Sequence, residues 1–136
     1  MCEELASYHV PESLLHDDLH TGNILYYGER YIFIDLAECC LTHPFCSMFI
    51  VLRVAKYILE YDDQALEHLR QAYLAPWMPY EPRERLQRAF ELAHRLGSLY
   101  RALFWYHFLS QLEPGMRWMH EDTVLYFLRV FLGTEE

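Results

Sequence analysis

Basic residues are scarce in this chain. Its 136 residues include 11 Lys and Arg against 20 Asp and Glu, for a formal net charge of -9, and Lys56 is the only lysine. A surface that binds nucleic acid needs clustered Lys and Arg to neutralise phosphates, so nucleic acid is excluded as a partner. The acidic balance suits a cationic ligand weakly and otherwise keeps an apolar chain soluble.

Paired cysteine motifs and long apolar runs are also missing. The longest uncharged apolar stretch, Leu41 to Leu52, is far shorter than the ~20 residues that cross a bilayer, so no membrane is predicted as a partner. Glu3 and Glu4 stand where a signal peptide would need basic and then apolar residues. The four cysteines form no C-x-x-C pair, and we interpret them as reduced thiols of a cytoplasmic protein: Cys2, Cys39, Cys40 and Cys46.

What the chain does contain is enough apolar surface for one folded domain over residues 1–136. Of its residues, 53% are apolar and 16% aromatic. Within residues 14–36, two β-rich runs, Ile24 to Tyr27 and Tyr31 to Ile34, flank Gly28 and predict a β-hairpin. Within residues 44–133, apolar residues recur three and four apart and predict helices. The predicted fold is therefore mainly α with a small β-hairpin, of the α+β class.

Proline and aspartate punctuate the helical part. Asp62 and Asp63 offer an N-cap for a helix that Pro76 ends, and Pro82 is placed to begin the longest helix. Apolar residues on both sides of that helix predict that most of its circumference is buried, including the aromatic segment from Phe104 to Phe108. A last helix is predicted from about Glu121 to Leu132.

Three polar side chains are the candidate site residues. Asp18 and Asn23 share a tight loop, and the hairpin returns the chain so that Asp35, which follows it, joins them. Phosphoryl transfer requires a carboxylate that accepts a hydroxyl proton, for which Asp18 is suited. It also requires hard oxygen ligands that hold Mg²⁺ against the phosphates, for which Asn23 and Asp35 are suited.

These residues resemble a known family. The segment His16-Asp17-Asp18-Leu19-His20-Thr21-Gly22-Asn23 is similar to the His-Gly-Asp-Leu-His-Pro-Gly-Asn signature of aminoglycoside and choline-type phosphotransferases. Ile34-Asp35-Leu36 resembles the Ile-Asp-Trp of that family, and His43 to Ser47 resembles the Gly-Asp-Pro segment that follows it. The helices that come after match the C-terminal lobe of the protein kinase-like fold.

The resemblance implies a role for individual positions. Asp18 would be the catalytic base, Asn23 and Asp35 the Mg²⁺ ligands, and His16 a structural residue behind the loop. His20 would lie near substrate and phosphate. ATP would be the phosphate donor, provided that a lobe that grips it is supplied, and a small-molecule hydroxyl compound would be the acceptor. Glu38 follows Asp35 closely enough to face substrate, although a solvated glutamate is the simpler interpretation.

The chain also departs from the family. Asp17 replaces the usual Gly and places a second carboxylate beside the base, and Ser47 stands where many members carry an Asp that supports the catalytic loop. No Gly-rich loop precedes His16, and Lys56 follows the metal residues instead of preceding them. We therefore expect a C-terminal lobe without its ATP-gripping N-terminal lobe, and we expect it to be inactive alone. The surface that would face the N-terminal lobe should be apolar and open to self-association.

Three alternatives stay open at this point. A non-catalytic remnant could keep the fold and act through a partner. The cluster of His16, Asp17, Asp18 and His20 could belong to a metal-dependent phosphohydrolase of the His-Asp type, although such sites draw ligands from several helices. A zinc site is also conceivable, with poor ligand spacing, at Cys39, Cys40, His43 and Cys46.

Overall fold

The computed structural model describes residues 1–117 and 121–134. A short first helix is followed by two short strand pairs and then by the other helices. The order of a β-hairpin followed by helices is as the sequence predicts. The helices are α1 (Cys2–Ala6), α2 (Met48–Tyr57), α3 (Asp63–Leu74), α4 (Arg83–Gln111), α5 (Pro114–Arg117) and α6 (Glu121–Leu132). The strands are β1 (Ser13–Leu15), β2 (Ile24–Tyr27), β3 (Arg30–Phe33) and β4 (Cys40–Thr42).

The predicted hairpin is confirmed as the antiparallel pair β2–β3, with Tyr26 opposite Tyr31. Its two-residue connection has positive φ at Gly28 (+54°) and Glu29 (+65°), which matches the right-handed twist of the strands. A second ladder, which the sequence did not predict, pairs β1 with β4 and sets Ser13 opposite Thr42. This ladder closes the base of the segment from which the hairpin projects.

The helix boundaries follow the predicted punctuation. The Asp62 side chain accepts a hydrogen bond from the Ala65 N–H at 2.8 Å and caps α3, which ends at Leu74 before Pro76. Pro82 is the residue that precedes α4 rather than its first residue. A 3-10 turn, Pro44–Ser47, leads into α2.

The main core lies where α1, the Pro44–Ser47 turn and α2 to α4 meet. It contains Leu5, Tyr8, Val10, Phe45, Met48, Leu52, Leu74, Leu86, Ala89, Phe90, Leu92 and Ala93. A second cluster joins α2 and α4 to α6 through Phe49, Ala102 and Phe127. The first two-thirds of α4 thus form the central support of the molecule.

One expectation about α4 is wrong. Its buried residues end at Ala102, and beyond that point Leu103, Tyr106 and Phe108 are exposed, as is His107. The stretch from Phe104 to Phe108 is apolar on both sides of the helix, but the rest of the described chain packs against only part of it. No helix in the described parts of the chain is long and apolar enough to span a membrane.

Candidate active site

The segment that carries the predicted site runs from β1 into β2. After Leu15 it turns through His16, Asp17 and Asp18, and a 3-10 turn over Thr21–Asn23 delivers the chain to β2. The His20 carbonyl accepts the Asn23 N–H at 2.9 Å, which closes this turn. Because the loop is short and internally bonded, Asp18 and Asn23 occupy the same side of it.

Asp18 and Asn23 are in direct contact. The Asn23 side-chain nitrogen Nδ2 donates to the Asp18 backbone oxygen at 2.9 Å and to its carboxylate Oδ2 at 3.3 Å. Asn23 is buried, whereas the Asp18 carboxylate is about half exposed. The contact orients a solvent-accessible carboxylate and commits the amide nitrogen, so Oδ1 of Asn23 is the oxygen that is left to act as a ligand.

His20 lies beside Asp18. Its Nδ1 accepts the Gly22 N–H at 3.0 Å, which assigns the proton of the neutral ring to Nε2. That Nε2 lies 3.5 Å from the Asp18 Oδ2. Gly22 permits this arrangement, because a Cβ at position 22 would approach the His20 Cε1 to 2.8 Å.

The hairpin brings Asp35 to the same region through backbone bonds. The His16 Nε2 lies 2.8 Å from the Ile34 carbonyl oxygen, and the Ile34 N–H donates to the Asn23 carbonyl at 3.0 Å. Asp35 comes next, exposed and with a φ of +59°, in the left-handed region. Aspartate tolerates that region better than most residues, and non-glycine residues held there concentrate at functional sites.

Asp17, which replaces the family's usual Gly, does not need an unusual backbone, since its φ is not positive. Its carboxylate is buried, with 5% of the residue exposed, and its Oδ2 lies 3.1 Å from Nη1 of Arg101 on α4. The Arg101 Nη2 also donates to the Asp17 backbone oxygen. Burial raises the pKa of Asp17 and Arg101 lowers it; Glu38 and then Asp18 add smaller increases.

Glu38 and Ser47 stand farther from the base. Glu38 is exposed, and its charge adds to the rise in the pKa of Asp17. Ser47 precedes α2 with no capping hydrogen bond, and it lies near Tyr73. Burial raises the pKa of Tyr73 to about 12, and the Tyr73 hydroxyl donates to the Pro44 carbonyl at 2.8 Å. In the described residues no hydrogen bond joins Ser47 to the loop over residues 16–23.

The donor groups suit magnesium better than a transition metal. The Asn23 amide oxygen and the Asp35 carboxylate are hard oxygen ligands, and Mg²⁺ typically takes only one or two protein ligands beside water and phosphate. Within residues 1–117 and 121–134, no three His, Cys, Asp or Glu side chains are placed to share one ion. The phosphohydrolase and zinc alternatives therefore gain no support.

The sequence interpretation missed two features that border the loop. The first is Arg101. Its position in the apolar stripe of a helix, together with the unexplained Asp17, is a sequence signal for a buried pair. The other is a cavity of about 510 Å³ on the Asp17 side of the loop, lined mainly by apolar groups and also by Tyr100 and Cys40. Burial raises the pKa of both of these side chains.

Among the comparisons with known proteins, the match to a family model includes the loop. No curated protein and no solved structure matches the chain. A family model, described as the phosphotransferase enzyme family, matches residues 3–74, which is more than half of the chain and spans the loop, both strand pairs, α2 and α3. On this match, and with the loop residues arranged as described, the chain belongs to the phosphotransferase enzyme family.

Proposed function

We propose that this chain provides the base and the metal ligands of an ATP-dependent phosphotransferase that acts on a hydroxyl group of a small molecule. The contact between Asp18 and Asn23 carries the proposal, because it holds an accessible carboxylate beside an amide oxygen at the hairpin end where Asp35 emerges. Family membership supports the reaction class.

Each residue has a distinct part in the proposed reaction. The oxygen of the acceptor hydroxyl attacks the terminal phosphorus of ATP, and ADP leaves. Asp18 accepts the proton that this hydroxyl loses. Asn23 and Asp35 would hold Mg²⁺, which neutralises charge on the phosphates when it is bound. The imidazole of His20 lies 3.5 Å from the Asp18 carboxylate. In this proposal it orients that carboxylate and contacts the transferred phosphoryl group.

Lys56, the only lysine, is on α2 after the proposed metal residues, so the chain does not itself supply a strand lysine that grips the phosphates. Because Asn23 and Asp35 are present, we expect the purified chain to bind Mg²⁺ and, through the metal, Mg²⁺-ATP. Because that strand lysine is not, we expect the chain to transfer phosphate poorly by itself. Steady ATP consumption that is abolished by Asp18→Ala would contradict this part of the proposal.

Binding of Mg²⁺-ATP, measured by calorimetry, and of Mn²⁺, measured by paramagnetic broadening of NMR signals, tests the site. Asp35→Asn removes the charge but keeps a residue that tolerates positive φ, so metal affinity should fall by more than about 10-fold without loss of the fold. Asp122→Asn, an exposed carboxylate on α6, is the matched control.

A non-catalytic remnant gives a different result. It would bind no nucleotide in a magnesium-dependent way, and Asp35→Asn would change nothing. Equal Mn²⁺ affinity in the Asp35→Asn and Asp122→Asn variants would exclude the proposed metal site.

A further inference from the structure

The loop over residues 16–23 is fixed at three consecutive residues by three different partners. His16 bonds to the residue that follows β3, Asp17 to α4, and Asp18 to Asn23 in the 3-10 turn. The first and third of these partners lie within the hairpin region itself. Arg101 is the only one of them that belongs to the helical part of the chain.

The Arg101 contact acts on the backbone beside the proposed base. Its Nη2 donates to the Asp17 carbonyl, and that carbonyl is part of the peptide group that continues into Asp18. Its Nη1 lies 3.1 Å from the Asp17 Oδ2, so one guanidinium contacts both the main chain and the side chain of the same residue. A planar guanidinium holds such a fork more rigidly than an ammonium does.

The Arg101 side chain is itself held in place. Only 7% of the residue is exposed, and its guanidinium lies 5.6 Å from the centre of the Phe104 ring. It starts from α4 between Tyr100 and Ala102, at the end of the buried part of that helix. The position of the Asp17–Asp18 peptide is therefore fixed relative to α4, the most deeply packed helix of the molecule.

Stability alone is a weak explanation for this pair. Both groups are buried, yet the Asp17 Oδ2 has no well-directed donor and the Arg101 Nε has no acceptor among the described residues. A buried ion pair repays the loss of hydration only when its hydrogen bonds are complete, and replacement of such pairs by apolar groups is often neutral or stabilising. What the pair does supply is a fixed position for the loop.

We propose that Arg101 is a positioning residue, which holds the Asp17–Asp18 peptide against α4 so that Asp18 and Asn23 stay in register. The effect of Arg101 on catalysis rests on the function proposed above. Its effect on the geometry of the loop rests only on the contacts of Arg101, and these two effects can be tested separately.

The key variant is the double replacement Asp17→Gly with Arg101→Met, which removes the pair without leaving a buried charge alone. We expect this variant to unfold at a temperature equal to or above that of the original chain, whereas Arg101→Met alone should unfold at a lower one. Despite its stability, the double variant should show shifted Asn23 side-chain NH₂ signals in NMR spectra, because the bonds from Nδ2 to Asp18 lengthen.

A second readout connects the loop to the metal. Residues that orient metal ligands without touching the ion typically change metal affinity by ~10- to 100-fold, and we expect the double variant to lose Mn²⁺ affinity within that range. Arg95→Met is the matched control, since Arg95 is on the same helix but its guanidinium bonds to the Phe131 carbonyl of α6. It should leave the Asn23 signals and the Mn²⁺ affinity unchanged.

The outcomes separate the two proposals. Unchanged Asn23 signals in a folded double variant would overturn the positioning role, whatever the chain binds. If the original chain binds no Mn²⁺, the proposed function fails while the Asn23 signals still decide the role of Arg101. Should the double variant not fold, Arg101→Lys keeps the charge without the fork; a smaller shift of the same signals supports the role, and original positions contradict it.

Discussion

At the scale of single residues, two histidines are kept neutral by the packing around them. Burial lowers the pKa of His43 to about 4. Burial, with smaller effects of Arg70 and Arg53, also lowers the pKa of His94 to about 4. The His94 ring lies against Phe49, with ring centres 4.9 Å apart, so a proton there would enter an apolar environment.

These histidines predict a loss of stability in acid. The unfolded chain takes up a proton at each near the ordinary pKa of 6.5, whereas the native chain does so only near 4. The unfolded state therefore binds more protons between these values, and the free energy of unfolding falls as pH falls from 6.5 to 4. Each histidine should contribute on the order of 2 kcal/mol to this fall. Asp17 opposes this fall, because its raised pKa lets the native state bind a proton at a higher pH than the unfolded state does.

Denaturant unfolding at a series of pH values from 7 to 4 measures the effect. His94→Leu removes one titrating group and should flatten the decline, and His68→Leu, at an exposed position on α3, is the matched control. Identical slopes for these two variants would show that His94 does not carry the effect.

Residue-level prediction from the sequence succeeds where spacing is short. Asp18 and Asn23 are five positions apart in a tight loop, so their contact follows from local geometry, and the hairpin accounts for the approach of Asp35. Arg101 is 84 positions from Asp17, and no periodic pattern specifies such a partner. The roles of the site residues remain predictions that the binding experiments decide.

At the scale of elements, prediction succeeded where local signals were strong. Gly28 between two β-rich runs predicted β2 and β3, and Asp62 with Pro76 bounded α3. The β1–β4 ladder was missed because each strand has only three residues, too few for an alternating pattern. The exposed end of α4 was misjudged because an apolar sequence reports the tendency to be buried but not the presence of a partner.

The contact between α2 and α4 depends on a glycine. A Cβ at Gly97 would lie 3.1 Å from the Phe49 Cβ and 3.3 Å from its Cγ, and a Cβ so close to the main chain cannot move aside freely. Alanine would gain about 1 kcal/mol of helix propensity. Overpacking in a core costs roughly 1–3 kcal/mol, so Gly97→Ala should be destabilising by about 1 kcal/mol net.

Thermal unfolding compares Gly97→Ala with Gly115→Ala, where an added Cβ meets nothing within 4 Å. We expect a lower melting temperature for the first variant only. A Gly97→Ala protein at least as stable as the original chain would mean that the two helices separate without cost.

At the scale of the whole molecule, the hairpin is the least covered part of the described chain. Leu25 and Ile32 point to one face, and Tyr26 and Tyr31 to the other, and all four are at least 46% exposed. Antiparallel pairs usually pack one face on a core and show polar groups on the other. A hairpin with two apolar faces, isolated from other strands, is only marginally stable by itself.

Because apolar patches of this kind are rarely left open on monomers, we expect the chain to self-associate through the hairpin. Light scattering during gel filtration, over a series of loading concentrations, should show a mass above that of the 16.4 kDa monomer. Leu25→Thr combined with Ile32→Thr keeps strand-forming side chains but reduces the apolar area of one face, so this variant should shift towards monomer. Ile58→Thr, at a position just after α2 that is 72% exposed, removes comparable apolar area elsewhere. A monomeric original chain at every concentration, or equal dissociation by the hairpin variant and Ile58→Thr, would contradict association through β2 and β3.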